Sequence, residues 1–166
     1  MNSPLWQQRS RELSDVVDSR TRSRMMSGIR GVNTRPELQV RRLLHRSGFR
    51  FRLHRKDLPG KPDIVLPRYR AVILVNGCFW HGHDCHLFKW PQTREDWWRT
   101  KIRHTMFNDS NNLLELRNAG WRVAVVWECA LKGKERISDE EIAISLAFWL
   151  RSVSEPLLEI RGKKKE

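Results

Sequence analysis

Cysteine and tyrosine are almost missing from this chain, which has three of the first and one of the second in 166 residues. Three thiols are an odd number and too few for a disulfide framework, so the fold must rest on a core in a reducing compartment. Long apolar runs are missing too. Nothing at the N-terminus reads as a signal peptide and no stretch approaches the length of a membrane span, so no membrane partner and a cytoplasmic location are expected. Acids are scarce as well: 19 Asp and Glu stand against 32 Lys and Arg, a net charge of +13. A field of that sign draws polyanions, and nucleic acid is the commonest of them. The length suits one domain of ordinary size, and there are no internal repeats.

Residues 1–33 read as a basic, Arg- and Ser-rich arm without an apolar period, 34–154 as the folded domain, and 155–166 as a charged tail that frays from Arg161. Thr34 and Pro36 start a helix that Gly48 ends, with Leu38, Leu43 and Leu44 on one face. Phe49, Phe51 and Leu53 alternate with Arg50, Arg52 and His54, as in a half-buried strand. After the Pro59-Gly60 turn come a short strand, Asp63 to Leu66, and a buried one, Ala71 to Val75. A helix after Thr93 is expected to break near Asn108 to Asn112, and Gly120 closes the helical region. Trp121 to Trp127 is another buried strand. Ser138 and Glu141 form a capping box for a last helix through Ile142, Leu146, Trp149 and Leu150. The element order predicts an α/β domain with a mixed central sheet flanked by helices.

Three groups of residues can carry chemistry. All three thiols, Cys78, Cys85 and Cys129, converge with a histidine cluster from two strand ends, and S and N donors in fours are what zinc takes in a closed structural site. The residues alone leave open whether His81, His83 or His86 is the fourth ligand. Asp63 sits at the mouth of a strand whose neighbour runs into the Cys/His loop, a place that suits a magnesium ion in phosphodiester hydrolysis. Glu37 on the first helix could lend a second carboxylate, although a helical glutamate among arginines is most often a solvated ion pair. Phe79-Trp80 lies in a polar loop rather than in a core pattern. Trp97-Trp98 points two indoles to different helix faces, so only one of them can be core. Aromatic wedges of this kind pry base steps apart, while Trp121, Trp127 and Trp149 fit core patterns.

The segments S-R-M-M-S-G-I, P-G-K-P-D, N-G-C-F-W-H-G-H-D-C, F-K-W-P-Q-T-R and G-W-R-V-A-V-V-W-E-C-A-L, in that order from about Thr21 to Trp149, resemble the very-short-patch repair endonucleases of bacteria. The resemblance implies a restriction-endonuclease-like fold and an enzyme, associated with the nucleoid, that nicks one DNA strand 5′ to the T of a T:G mismatch left by 5-methylcytosine deamination. It implies a double-stranded, mismatched DNA substrate, a monomer, and work alongside mismatch-repair proteins. Asp63 would bind catalytic Mg2+, with the backbone carbonyl of Val75 beside it. His81 would be the general base or a partner to the attacking water, and Glu37 would support the water around the metal. Cys78, His83, Cys85 and Cys129 would hold structural Zn2+. Phe79, Trp80 and Trp98 would wedge beside the mismatch from the major groove, and Met26 and Ile29 from the minor groove.

Some family members carry Thr-His where this chain has Val75-Asn76. A carbonyl contact survives threonine to valine, but Asn76 cannot exchange a proton, which predicts a slower enzyme or one that leans more on His81. Two other readings compete. One keeps the nuclease with another mismatch or site specificity; the other is a non-catalytic, zinc-containing DNA-binding module.

Overall fold

The computed structural model describes residues 31–163 together with Asp18, Arg20, Thr21 and Arg24. Helix α1 (Arg35–Arg46) begins where Thr34 accepts a hydrogen bond from the Glu37 N–H, and it buries Val40, Leu43 and Leu44. Five strands follow the chain: β1 (Arg52–Leu53), β2 (Ile64–Leu66), β3 (Ala71–Asn76), β4 (Arg122–Trp127) and β5 (Leu157–Ile160). They lie in chain order, β1 and β2 antiparallel, β2 and β3 antiparallel, then β3, β4 and β5 parallel. Helix α2 (Glu95–Asn118) joins β3 to β4; the one-turn α3 (Glu128–Leu131) and α4 (Asp139–Arg151) lead from β4 to β5.

Side chains alternate across a strand, so each one feeds two cores. Ile64, Leu66, Ala71, Ile73, Ala124 and Val126 pack with α1 and α4, whereas Val65, Val72 and Val123 meet Leu116 of α2 and Trp121. The result is three layers, helices on both faces of a mixed sheet. Because β2 runs against β3 while β4 and β5 run with it, the start of β2 and the ends of the other three share one edge. Asp63, Asn76, Trp127 and Ile160 all arrive there. That edge is where the chemistry lies.

Four expectations change. The alternation of Phe49 to Leu53 yields only a two-residue strand; Phe49 is buried, but Arg52 and Leu53 are both exposed. The break near Asn108 to Asn112 does not occur, and α2 runs unbroken for 24 residues. Its hydroxyls bond back into the helix, Thr105 to the Lys101 carbonyl and Ser110 to that of Met106, while Asp109 is held from outside by His81. Cys129 lies in α3 rather than at a strand end. Finally, β5 comes from the segment read as tail, and the chain does not fray at Arg161, since Lys163 N–H still donates to the Glu135 carbonyl at 2.8 Å.

The last point is measurable. Ile160 is buried among the residues that pack on α4, so Ile160→Ala should cost about 2–4 kcal/mol in urea unfolding. An unchanged midpoint would restore the frayed tail. No helix among the described residues is long and apolar enough to cross a membrane.

Candidate active site

Residues 77–94 leave the end of β3 as a loop, and Gly82 lets its neighbouring side chains diverge. Gly82 stands at φ +61°, and a Cβ there would come within 2.8 Å of Ile102 and Met106 of α2. That close seat sends His83 down to the thiols and His81 up to α2. The loop is thereby split into two sites.

In the lower one, the donor atoms of Cys78, His83, Cys85 and Cys129 lie within 4.8 Å of one another. His83 Nδ1 is 3.5 Å from Cys78 Sγ and 3.6 Å from Cys129 Sγ. A tetrahedron with zinc–sulfur and zinc–nitrogen bonds of ordinary length has S···N edges of about 3.5–3.6 Å. Backbone N–H groups already point at each sulfur, from Cys129 to Cys78 at 3.3 Å, from Gly162 to Cys129 at 3.3 Å and from Leu87 to Cys85 at 3.4 Å. Burial pushes the Cys78 and Cys129 thiols up and holds His83 down, so a cation is needed to draw the thiolates out. The cluster is consistent with a structural zinc.

The fourth-ligand ambiguity resolves by position. His83 is the histidine whose ring nitrogen lies among the thiols, while His81 turns to Asp109 and His86 Nδ1 lies 3.0 Å from Glu135 without forming a hydrogen bond. The far nitrogen of His83 has no hydrogen-bond partner; the ring is held instead by Trp127, stacked at 4.0 Å and 9°. Trp127 in turn donates its indole N–H to Glu159 of β5 at 2.6 Å. Glu128, the next residue, accepts the Cys78 N–H at 3.1 Å and so fastens the loop to the end of β4.

Above the cluster opens a cleft of about 1020 Å³, lined by Glu37, His54, Asp63, Val75, Asn76, His81 and Asp109 among others. Asp63 accepts the Val75 N–H at 2.7 Å, which fixes the carboxylate across the β2–β3 ladder. Burial pushes its pKa up to about 6; the Val75 N–H opposes this and the Glu37 charge adds to it. The shift reflects a carboxylate short of water, an environment in which a lone anion is disfavoured.

Glu37, Asp63 and His54 place donor atoms within 4.8 Å of one another. Glu37 is 3 % exposed and already well occupied. It accepts from Asn33 N–H at 2.9 Å, Thr34 hydroxyl at 2.9 Å and Arg41 at 2.8 Å. Asn76 closes β3 beside the cleft, 9 % exposed.

His81 Nδ1 lies 2.6 Å from Asp109 Oδ2. A carboxylate there fixes the proton on Nδ1 and leaves Nε2 as an acceptor, the arrangement of an oriented general base. The signal for Asp109 was present in the sequence. Lys101, Thr105, Asp109 and Asn112 recur at spacings of 4, 4 and 3, and all four line the cleft as one stripe of α2. The expected helix break hid that period. Trp127 fits a core pattern and Glu128 carries no signal of its own in the sequence, although both brace the loop.

Phe79, Trp80 and Trp98 form one aromatic group, with Phe79 to Trp80 and Phe79 to Trp98 both 5.2 Å edge to face. All three are half-buried at the rim. Met26 and Ile29 lie outside the described residues.

Residues 14–87 match the family described as DNA mismatch endonuclease Vsr. The DNA mismatch endonuclease Vsr of Escherichia coli is 43% identical over 138 residues, 83% of this chain and 88% of that protein. The chain belongs to the Vsr endonuclease family. It is also 50% identical over 119 residues to the type II nicking enzyme V.XorIIP of Xanthomonas oryzae, covering 72% of this chain and 88% of the relative. The type II nicking enzyme V.NmeAIP of Neisseria meningitidis is 42% identical over 122 residues, 74% and 87% of the two chains. The protein is therefore a Vsr-family DNA strand-nicking endonuclease, and its substrate is DNA.

Proposed function

We propose that this enzyme nicks one strand of duplex DNA 5′ to the T of a T:G mismatch, with magnesium in the cleft and zinc in the Cys78–His83–Cys85–Cys129 cluster, on a restriction-endonuclease-like fold. The observation that carries the reading is the meeting, in one cleft, of a half-buried carboxylate at the start of a strand with a carboxylate-oriented histidine. Phe79 and Trp80 of the same loop, packed against Trp98 of α2, flank them.

Asp63, with the Val75 carbonyl beside it, would hold the magnesium ion. The ion would supply Lewis acidity toward the scissile phosphate and its leaving oxygen. His81 takes the proton from the attacking water at Nε2, and Asp109 stabilises the imidazolium that forms. Glu37, with Arg41, holds the root of α1 against the cleft floor rather than moving a proton. Asn76 can hydrogen-bond a phosphate oxygen or a water but exchanges no proton. Phe79, Trp80 and Trp98 open the base steps beside the mismatch, and the arm 1–33, with Met26 and Ile29, acts from the opposite groove.

A nicking assay over every mismatch in several sequence contexts tests the reading. T:G should be cut fastest and on the T strand only. Preferential cutting of a fully paired site would replace it with the site-specific reading. His81→Gln and Asp109→Asn should each slow nicking about 10²–10⁴-fold with zinc content unchanged. The Asp109 variant should be the milder, because the histidine remains. Wild-type rates in His81→Gln would remove it from the chemistry.

A further inference from the structure

Two limbs lead outward from Phe79. One runs through Phe88, 6.1 Å away, to Trp90, a further 4.9 Å edge to face. The other runs through Trp98 to Trp97, 4.8 Å apart. Their ends are the most open parts of the cluster: Trp90 is 38 % and Trp97 49 % exposed. Apolar rings that are contiguous with a site and left in water mark an interaction surface more than scattered single residues do.

The coverings they already have are cationic. Arg99 lies over the Trp90 ring at 4.6 Å, Lys101 over Trp97 at 5.5 Å and Arg94 over Trp97 at 6.0 Å. Arg99 is also paired with Glu95, at 2.6 Å from its Oε1. Arg94 is held at φ +52°, the left-handed region that side chains seldom adopt, at a helix start without a side-chain cap. Lys101 reaches from Trp97 into the cleft wall. The patch is thus continuous with the nicking site and of the charge opposite to DNA.

Resting on the nicking reading above, we propose that Trp90 and Trp97, with Arg94 and Arg99, form a second contact surface for the duplex DNA that flanks the mismatch on the side where α2 begins. The flat indoles lie against sugars and base edges of the flank while the cations meet its phosphates, a pairing of stacking and charge that nucleic acid answers. The surface is distinct from the wedge, since Phe79, Trp80 and Trp98 are turned inward on one another. It sets how tightly and in which register the flank is held.

The test is a binding cycle with zinc-loaded full-length protein and no divalent cation. The probes are a T:G duplex with about one helical turn on each side and two versions cut short on either side. The wild type should lose about tenfold in affinity when one particular side is removed and little when the other is. Trp90→Ala and Trp97→Ala should each weaken binding to the long duplex about five- to tenfold and be indifferent to that same truncation. Arg99→Gln, which keeps both indoles, should lower the salt dependence by about one released counterion. Variants that bind the long duplex as wild type does, or that stay as sensitive to truncation, overturn the proposal. Circular dichroism and zinc content exclude misfolding as the cause of weakened binding. Wild type that binds with this asymmetry yet nicks no duplex would instead refute the nicking reading.

Discussion

Asp63→Asn should abolish nicking and yet leave the metal-free protein more stable than wild type. The two effects share one cause. Asp63 stands half-buried just ahead of β2, and the loss of water around its carboxyl raises its pKa to about 6 against an ordinary 3.8. An acid raised on folding destabilises the fold wherever it is ionised. Below about pH 4 it is protonated in both states and costs nothing. The cost grows as pH rises through that window and is complete above about pH 6, on the order of 1–3 kcal/mol. Asparagine carries no charge and keeps an oxygen for the Val75 N–H, so the cost disappears. What is lost is the carboxylate that would anchor magnesium, worth several kcal/mol to the transition state and so at least about a thousandfold in rate. Thermal melts at pH 7.5 in chelator, beside single-turnover nicking in magnesium, read both. A variant that nicks normally sinks the metal role; one that melts earlier than wild type sinks the buried-charge argument. Saturating magnesium should erase the wild type's deficit, because binding to the native state adds stability.

Cys129→Ser should have the second largest effect, through the loop rather than the cleft. Cys78 and Cys129 stand 51 positions apart and, joined through one ion, close the chain around α2. Closing a loop of that length removes on the order of 4 kcal/mol of unfolded-state entropy. With the ion lost, the remaining sulfurs and His83 Nδ1 are left with only backbone N–H groups and one another as partners. His81 and the Phe79-Trp80 pair ride on the same loop, so nicking should fall below detection although the sheet survives. Metal analysis should find one zinc per wild-type chain and none tightly held by the variant. Far-ultraviolet circular dichroism should stay near wild type while the near-ultraviolet tryptophan signal falls. A metal-free Cys129→Ser protein that melts and nicks like wild type would refute the structural zinc.

The apolar runs Ala71 to Val75 and Trp121 to Trp127 were legible because a strand buried on both faces needs unbroken hydrophobicity. The capped helices α1 and α4 were legible because Thr34, Pro36 and Ser138 are local signals. The convergence of three thiols on one histidine group was legible from scarcity alone. By contrast, β5 has one fully buried residue, Ile160, and alternates with exposed ones, so four residues beside a Lys-rich end carry little signal. Helix α2 fared likewise. It buries only Ile102 and Leu116, and its run of Asn, Asp and Ser is poor helix material until Asp109 finds His81. The partner that rescues the helix is therefore also the one that completes the dyad.

The order of strands in the sheet is the order in which a ribosome delivers them. Each strand pairs with its sequence neighbours, so a growing chain can add them one at a time. The last, β5, brings Glu159 to Trp127 and is followed at once by Gly162, whose N–H meets the Cys129 sulfur. A nascent chain ending before these residues has every thiol and every cleft residue but not the clasp that steadies them. The fastening of the site thus comes from residues delivered after the site itself, and a copy cut short of them is left without it.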